Sequence, residues 1–291
     1  SSYFTTETFS VCTDSGDDCN GCYYFDGTVT GGGGDPTMTG GSTGITSTPA
    51  SEYDEDVVVT QPSGFQNMFV SLAETINEKL GNSLSPEELS FLVAFYDFAI
   101  EANQFLNGNN NSVEAKSIVK DIVDTLSRDI LKEFEQDYRN RMSISEKAIF
   151  DSMSQFKQKG YLVNGQKATW AAEDLYPNSF YNGKGDAFRH AYFNALNAIL
   201  LGVTLAKDLA TAHEDKPAPS NYPNYSKEVQ MDLFNNEVGR NKRTWFTDGF
   251  NSLVESISAA MVNGELRYLS HLLGGGSSGP ATNQSQLIPT N

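Results

Sequence analysis

The sequence predicts an all-α, multi-helix, bundle-like domain carrying an N-terminal arm that is partly β, rich in Gly and Thr, and acidic. Three observations predict it. From about Gln61 to 273 the apolar residues recur at helical spacing. Before that point, alternating Thr, Tyr, Phe and Val give way to a Gly/Ser/Thr run that cannot bury a core of its own. The charge is divided in the same place. Residues 1–60 hold ten of the 37 acids and no Lys or Arg, which leaves 27 acids against 20 bases in the remainder and a net charge of −17 overall.

In the arm, residues 1–61, "YFTTETFSVC" and "CYYFDGTVT" flank the turn-rich "TDSGDDCNG" and predict a β-hairpin. The three cysteines, Cys12, Cys19 and Cys22, fall there as C-x6-C-x2-C. One disulfide plus an odd thiol suits an exported chain, whereas a three-thiol metal site lacks its fourth ligand. "GGGGDPTMTGGSTGITSTPASEYDED" follows as an exposed tether.

The helical domain, 62–273, opens with an amphipathic helix over 64–81, stopped by Gly81. Ser85, Pro86 and Glu88 form a capping box for the next one. A long helix is expected from Ser112 to about Arg141, with Ile118, Ile122, Val123, Leu126, Ile130 and Phe134 along one side. Another covers 144–160, and "VNGQKATWAAEDLYPNSFYNGKG" reads as loop with a short helix inside. The helix containing "GDAFRHAYFNAL" (185–196) comes next, then a turn-rich stretch at 214–226 and helices over about 227–242 and 248–272. Residues 274–291 read as a flexible tail.

Composition excludes several function classes. No basic face is present to release counterions from nucleic acid. The acidic balance opposes docking on anionic lipid, and no apolar run approaches the roughly 20 residues of a membrane span. The start at "SSYF", without Met, suits a processed, exported protein in the periplasm, at the cell surface or secreted, and is compatible with a lipid anchor just upstream.

The candidate site is a polar stripe on an apolar helix. Asp186, His190, Asn194 and Asn197 fall within an arc of roughly 80° at 100° per residue. His213 and Glu214 end an Ala/Leu-rich helix, and Asp232, Asn236 and Arg240 repeat the i, i+4, i+8 spacing. Gly239 would let another helix approach closely, and Asn235 and Asn236 have amides suited to binding backbone carbonyls. Buried ionisable groups need partners or a metal. Two imidazoles (His190, His213) with Asp186 or Asp232 make a normal set for zinc, with manganese or iron as alternatives. Glu214 would be a ligand or the general base, and Arg189 or Arg240 would hold an anionic oxygen. The rival is a satisfied structural network joining Asp186, His190, Asp232 and Arg240.

"GKGDAFRHAYFNALNA … ATAHEDK … MDLFNNEVGR", over roughly 165–245, resembles a bacterial domain family of unknown function with an RHAYxNAL helix, an AHE doublet and an NNxxG helix. The resemblance carries over Asp186, Arg189, His190, Asn194, His213, Glu214, Asp232, Asn235, Asn236 and Gly239, and implies a missing imidazole at Phe234, where many relatives have His. The order His190, His213–Glu214, Asp232 is also similar, more loosely, to that of helical metal-dependent phosphoesterases. The expected function is an exported metal-dependent hydrolase of a phosphoester or other envelope-derived substrate. The alternative is a surface or periplasmic interaction protein whose acidic arm docks on an envelope or outer-membrane partner.

Overall fold

The computed structural model describes residues 6–11, 23–28 and 64–291 apart from 130, 132–134, 219 and 221–223, with side chains from residue 67 onward. The chain divides into two units, Ser1–Asn67 and Met68–Asn291. In the first, β1 (Thr6–Val11) and β2 (Tyr23–Thr28) pair antiparallel, with Thr6 opposite Thr28 and Val11 opposite Tyr23. The backbone pairing is the hairpin that alternation predicts. Cys12, Cys19, Cys22 and the tether lie outside the described residues.

Eleven α-helices make the all-α, bundle-like domain among the described residues. The first seven are α1 (Gly64–Lys79), α2 (Pro86–Ala94), α3 (Tyr96–Gly108), α4 (Val113–Ser127), α5 (Glu135–Arg141), α6 (Ile144–Asp151) and α7 (Gln155–Leu175). They are followed by α8 (Lys184–Leu201), α9 (Val203–His213), α10 (Tyr225–Asn241) and α11 (Leu253–Val262). A short pair, β3 (Arg267–Leu269) and β4 (Leu287–Pro289), closes the chain. None of the described helices is long and apolar enough to cross a membrane.

Five local expectations change, one of them the helix expected over 248–272, which is confined to α11 and gives way to β3. The capping box at Ser85 and Glu88 is present, but the helix it opens breaks at Phe95, whose backbone leaves the helical region without any glycine or proline to announce it. The helix expected over 112–141 ends at Ser127, because Asp129 takes a left-handed conformation (φ 56°), and resumes as α5; Ile130 and Phe134 lie outside the described residues. The helix expected over 144–160 splits at Ser154, the N-cap of α7. Residues 161–175, read as mostly loop, are helix throughout. Gly160 and Gly165 are there for close packing. A Cβ on Gly160 would lie 2.6 Å from Leu200, and one on Gly165 would lie 2.6 Å from the Tyr138 ring.

Residues 274–291, expected as a flexible tail, are built into the helical unit. Lys227 Nζ donates to the carbonyls of Thr282, Asn283 and Ser285 at 2.9–3.0 Å. Buried Glu228 accepts from the Ala281 N–H (2.8 Å) and the Tyr181 hydroxyl (3.0 Å), and β4 pairs with β3. Sequence composition alone hides this anchorage, because the ligands are backbone groups held by one Lys and one Glu far away in the chain.

α8 lies at the centre of the second unit, against α4, α7, α9, α10 and α11. Beside its polar stripe runs a second face of Ala187, Ala191, Ala195 and Ala198, all buried, whose small side chains let neighbours close in. Gly239 of α10 sits on this face so tightly that a Cβ there would fall 2.0 Å from the Ala191 carbonyl oxygen. Gly202, at φ 84°, ends α8 and starts α9 one residue later, which returns the chain alongside α8. Gly239→Ala should therefore push α10 off α8 and lower stability by about 1–3 kcal/mol or more, read from the urea-unfolding midpoint.

Candidate metal centre

All four stripe residues of α8 are buried: Asp186, His190, Asn194 and Asn197. Asn197 accepts from Asn164 of α7 at 2.9 Å and ties two helices. The other three meet α10, and their roles follow from one donor that has no choice. Arg240 can only donate, and its Nη1 lies 2.9 Å from Asn194 Oδ1. That contact assigns Asn194 Nδ2 as the donor to Asn236 Oδ1 (2.6 Å) and to the His190 carbonyl (3.2 Å). Asn236 Oδ1, already an acceptor, faces His190 Nδ1 at 3.2 Å, so Nδ1 carries the proton. The His190 Nε2 lone pair is thereby turned towards Asp186 and Asp232.

Three acceptor atoms converge there. His190 Nε2 is 3.5 Å from Asp186 Oδ1 and 3.3 Å from Asp232 Oδ1. One ligand atom from each of the three residues lies within 4.8 Å of the others, and the group could hold a metal ion. Burial, with the Arg189 charge, pushes the His190 pKa down to about 3, so the imidazole is neutral, the state in which it binds metals. Burial and the Asp186 and Glu214 carboxylates hold Asp232 well above the ordinary carboxylate range. Its Oδ1 is buried with no hydrogen-bond partner among the described residues. A proton on Asp232 or a cation would relieve three acceptors placed so closely.

Asp186 is held from two sides. Its Oδ2 accepts from the Asn182 N–H (2.7 Å), and its Oδ1 accepts from Arg189 Nη2 (2.5 Å). The same Arg189 nitrogen lies 2.9 Å from His190 Nε2. Glu214, just past the C-terminus of α9, has its pKa raised, chiefly by burial, against the opposing charges of His213, Lys216 and Arg189. Its Oε1 is likewise buried and unpartnered among the described residues.

The structure therefore brings Asp186, Arg189, His190, Asn194, Asp232, Asn236 and Arg240 into one network, with Glu214 in its field. Arg240, expected as a holder of substrate anion, is engaged by Asn194. Asn235 binds backbone instead: its amide pairs with both the carbonyl (2.8 Å) and the N–H (2.9 Å) of Arg267, fixing β3 to α10. Gly239 provides the close approach expected of it. Phe234 lies under the Arg267 guanidinium at 4.9 Å and is 37 % exposed, while the donor set sits on the buried face of α10.

His213, expected beside His190 as a ligand, has other neighbours. Its Nδ1 is 2.7 Å from Glu146 Oε2, and its Nε2 is 3.2 Å from Lys216 Nζ. It is not among the three residues whose donor atoms converge. Glu146 was missed by sequence reasoning. It already has a local job as N3 of the capping box at Ser143, which gives no sign that the same carboxylate also takes His213 and the Tyr161 hydroxyl (2.7 Å). Burial raises its pKa, but the hydrogen bonds and charges of His213, Tyr161 and Lys216 outweigh that and leave it lowered.

Two stability outcomes follow. Asn194→Leu leaves Arg240, Asn236 and the His190 carbonyl without their shared partner and should cost about 1–3 kcal/mol; the 15N shifts of His190 should lose the pure Nδ1–H pattern. Glu146→Gln should also destabilise by about 1–3 kcal/mol near pH 7. A depressed folded pKa contributes stability above the unfolded value of 4.5 that is lost as pH falls through the folded one. The difference between wild type and variant should accordingly shrink in acid denaturation scans below about pH 4.

Residues 152–265, from the start of α7 to just beyond α11, match the family model of a domain of unknown function (DUF6973). The matched segment contains the whole Asp186–His190–Asp232 group and the relay behind it, and begins after Glu146. Neither the curated proteins nor the solved structures contain a significant match to the chain. Over residues 152–265, then, the chain is similar to an uncharacterised family.

Proposed function

We propose that Asp186, His190 and Asp232 bind a divalent cation and that the chain is a metal-dependent hydrolase acting on a phosphoester or a related ester. The observation that carries the reading is the donor geometry: a neutral imidazole whose tautomer is set from behind, facing two carboxylates, one with a buried oxygen that has no partner among the described residues. One nitrogen and two oxygens suit zinc, manganese or iron, and three protein ligands leave positions open for water and substrate. A cation so held would lower the pKa of bound water and polarise an ester oxygen.

The chain's own residues supply the rest. Asn236 and Asn194 hold the imidazole ring in register, with Arg240 behind them. Asn182 orients Asp186 through its backbone N–H. Glu214, a carboxylate whose pKa is raised chiefly by burial, would act as the general base. Lys216 and the partly exposed Arg189 place positive charge at the same end of α9, where an anionic substrate would be held.

Elemental analysis of the purified protein, with Zn2+ or Mn2+ titration, tests the reading. Wild type should hold about one ion per chain and gain thermal stability on ion addition. Asp186→Asn and Asp232→Asn should each weaken binding about 10–100-fold or more and lose hydrolysis of bis(p-nitrophenyl) phosphate. A wild-type protein that takes up no ion, even in excess, sinks the proposal and leaves the stripe as structural polar core.

A further inference from the structure

Two buried oxygens in this region have no hydrogen-bond partner among the described residues, Asp232 Oδ1 and Glu214 Oε1. Meanwhile one cationic group is doing two jobs. Arg189 Nη2 donates to Asp186 Oδ1 at 2.5 Å and lies 2.9 Å from the His190 Nε2 lone pair. Both residues belong to the group of three that could hold an ion. A guanidinium nitrogen bridging both stands where an ion's charge would act, and an ion binding Asp186 Oδ1 and His190 Nε2 must displace those hydrogen bonds.

A displaced guanidinium needs another acceptor, since leaving a buried charge unpaired is costly. Asp186 Oδ2 is taken by the Asn182 N–H, Asn194 Oδ1 by Arg240, and both Glu146 oxygens by His213 and Tyr161. Glu214 is different. Its Oε1 is unpartnered among the described residues, and its carboxylate lies within charge–charge range of Arg189, His213, Lys216 and Asp186. The side chain of Arg189 is one-third exposed, so it has room to turn without unpacking the core.

We propose that Arg189 has two seats: without a cation it closes the Asp186–His190 pair, and on cation entry it moves to Glu214 Oε1. Resting on the cation proposal above, this exchange accounts for both orphaned oxygens at once, the ion satisfying Asp232 Oδ1 and the guanidinium satisfying Glu214 Oε1. It also sets the order of events. The Glu214 carboxylate is paired at Oε1 only after the ion has arrived, and Oε2 is the oxygen left for proton transfer.

Deleting one charge beside an ion changes affinity by simple electrostatics, so a double-mutant cycle is needed. Mn2+ affinity is measured by calorimetry for wild type, Arg189→Met, Glu214→Leu and the double variant. Arg189→Met should bind about tenfold tighter than wild type and Glu214→Leu about tenfold weaker. In the Arg189→Met background, Glu214→Leu should cost much less than in wild type, because the second seat has lost its occupant. Additive effects, or an unchanged affinity in Arg189→Met, overturn the exchange while leaving the cation proposal standing. No Mn2+ binding in any variant overturns both. Should Arg189→Met fail to fold, a crystal structure of wild type soaked with Mn2+ decides alone: ion bound with Arg189 still on Asp186 refutes the exchange, and Arg189 on Glu214 supports it.

Discussion

The contact on which the site depends is one with no direct part in it, Arg240 donating to Asn194 Oδ1. Guanidinium has no acceptor, so the contact removes the ambiguity of an amide that could point either way. Each following group is then determined in turn: Asn194 donates, Asn236 accepts, His190 Nδ1 carries the proton and Nε2 keeps its lone pair. Were Arg240 absent, Asn194 and Asn236 could both flip, and only Arg189 Nη2, 2.9 Å from Nε2, would still hold the imidazole in that tautomer. The electrostatic character of the centre is set two residues behind it.

That relay in turn depends on how closely two helices pack. α10 carries Asp232, Asn236 and Arg240 on one face, and α8 carries Asp186, His190 and Asn194 on another. The two faces reach hydrogen-bond distance because Gly239 lets α10 rest on the Ala191 backbone. The alanine face of α8 serves the same end for its other neighbours. Small residues here substitute backbone proximity for side-chain volume, and the polar groups beside them then fill the remaining space with hydrogen bonds in place of apolar contacts. The C-terminal residues hold α10 through Lys227 and Glu228, and β3 holds it through Asn235, so its position is braced away from α8 as well.

Both helices are also tied to α9, which Gly202 turns back beside α8. Its C-terminal end is received by α6. Ser143 Oγ donates to the Ala212 carbonyl at 2.5 Å, and Glu146 takes His213. A capping box thus does local and long-range work with the same two side chains. This explains why His213, identical in kind to His190, ends in a different place. A buried carboxylate on α6 offers it a partner, and that partner comes from outside the segment in which the motif residues cluster.

What the sequence by itself determined is whatever depends on near neighbours along the chain. Period 3.6 made the domain helical, the Ser85 box set a helix start, the β1–β2 alternation set the hairpin, and the i, i+4, i+8 spacing of Asp186, His190 and Asn194 put them on one face. The same spacing in Asp232, Asn236 and Arg240 made a second face, so most of the candidate centre was legible. Only the tertiary structure decided which of these groups meet. It joined His190 to both carboxylates and took His213 to Glu146. It left Asp232 and Glu214 each with an oxygen unpartnered among the described residues, and it made Gly160 and Gly165 packing sites within a helix. It also anchored the Gly/Ser-rich terminus, through Lys227 on its carbonyls and the pairing of β4 with β3. The physical reason is common to all of these: the energy of a buried polar group, or of a missing Cβ, lies with partners tens of residues away, and no local pattern records them.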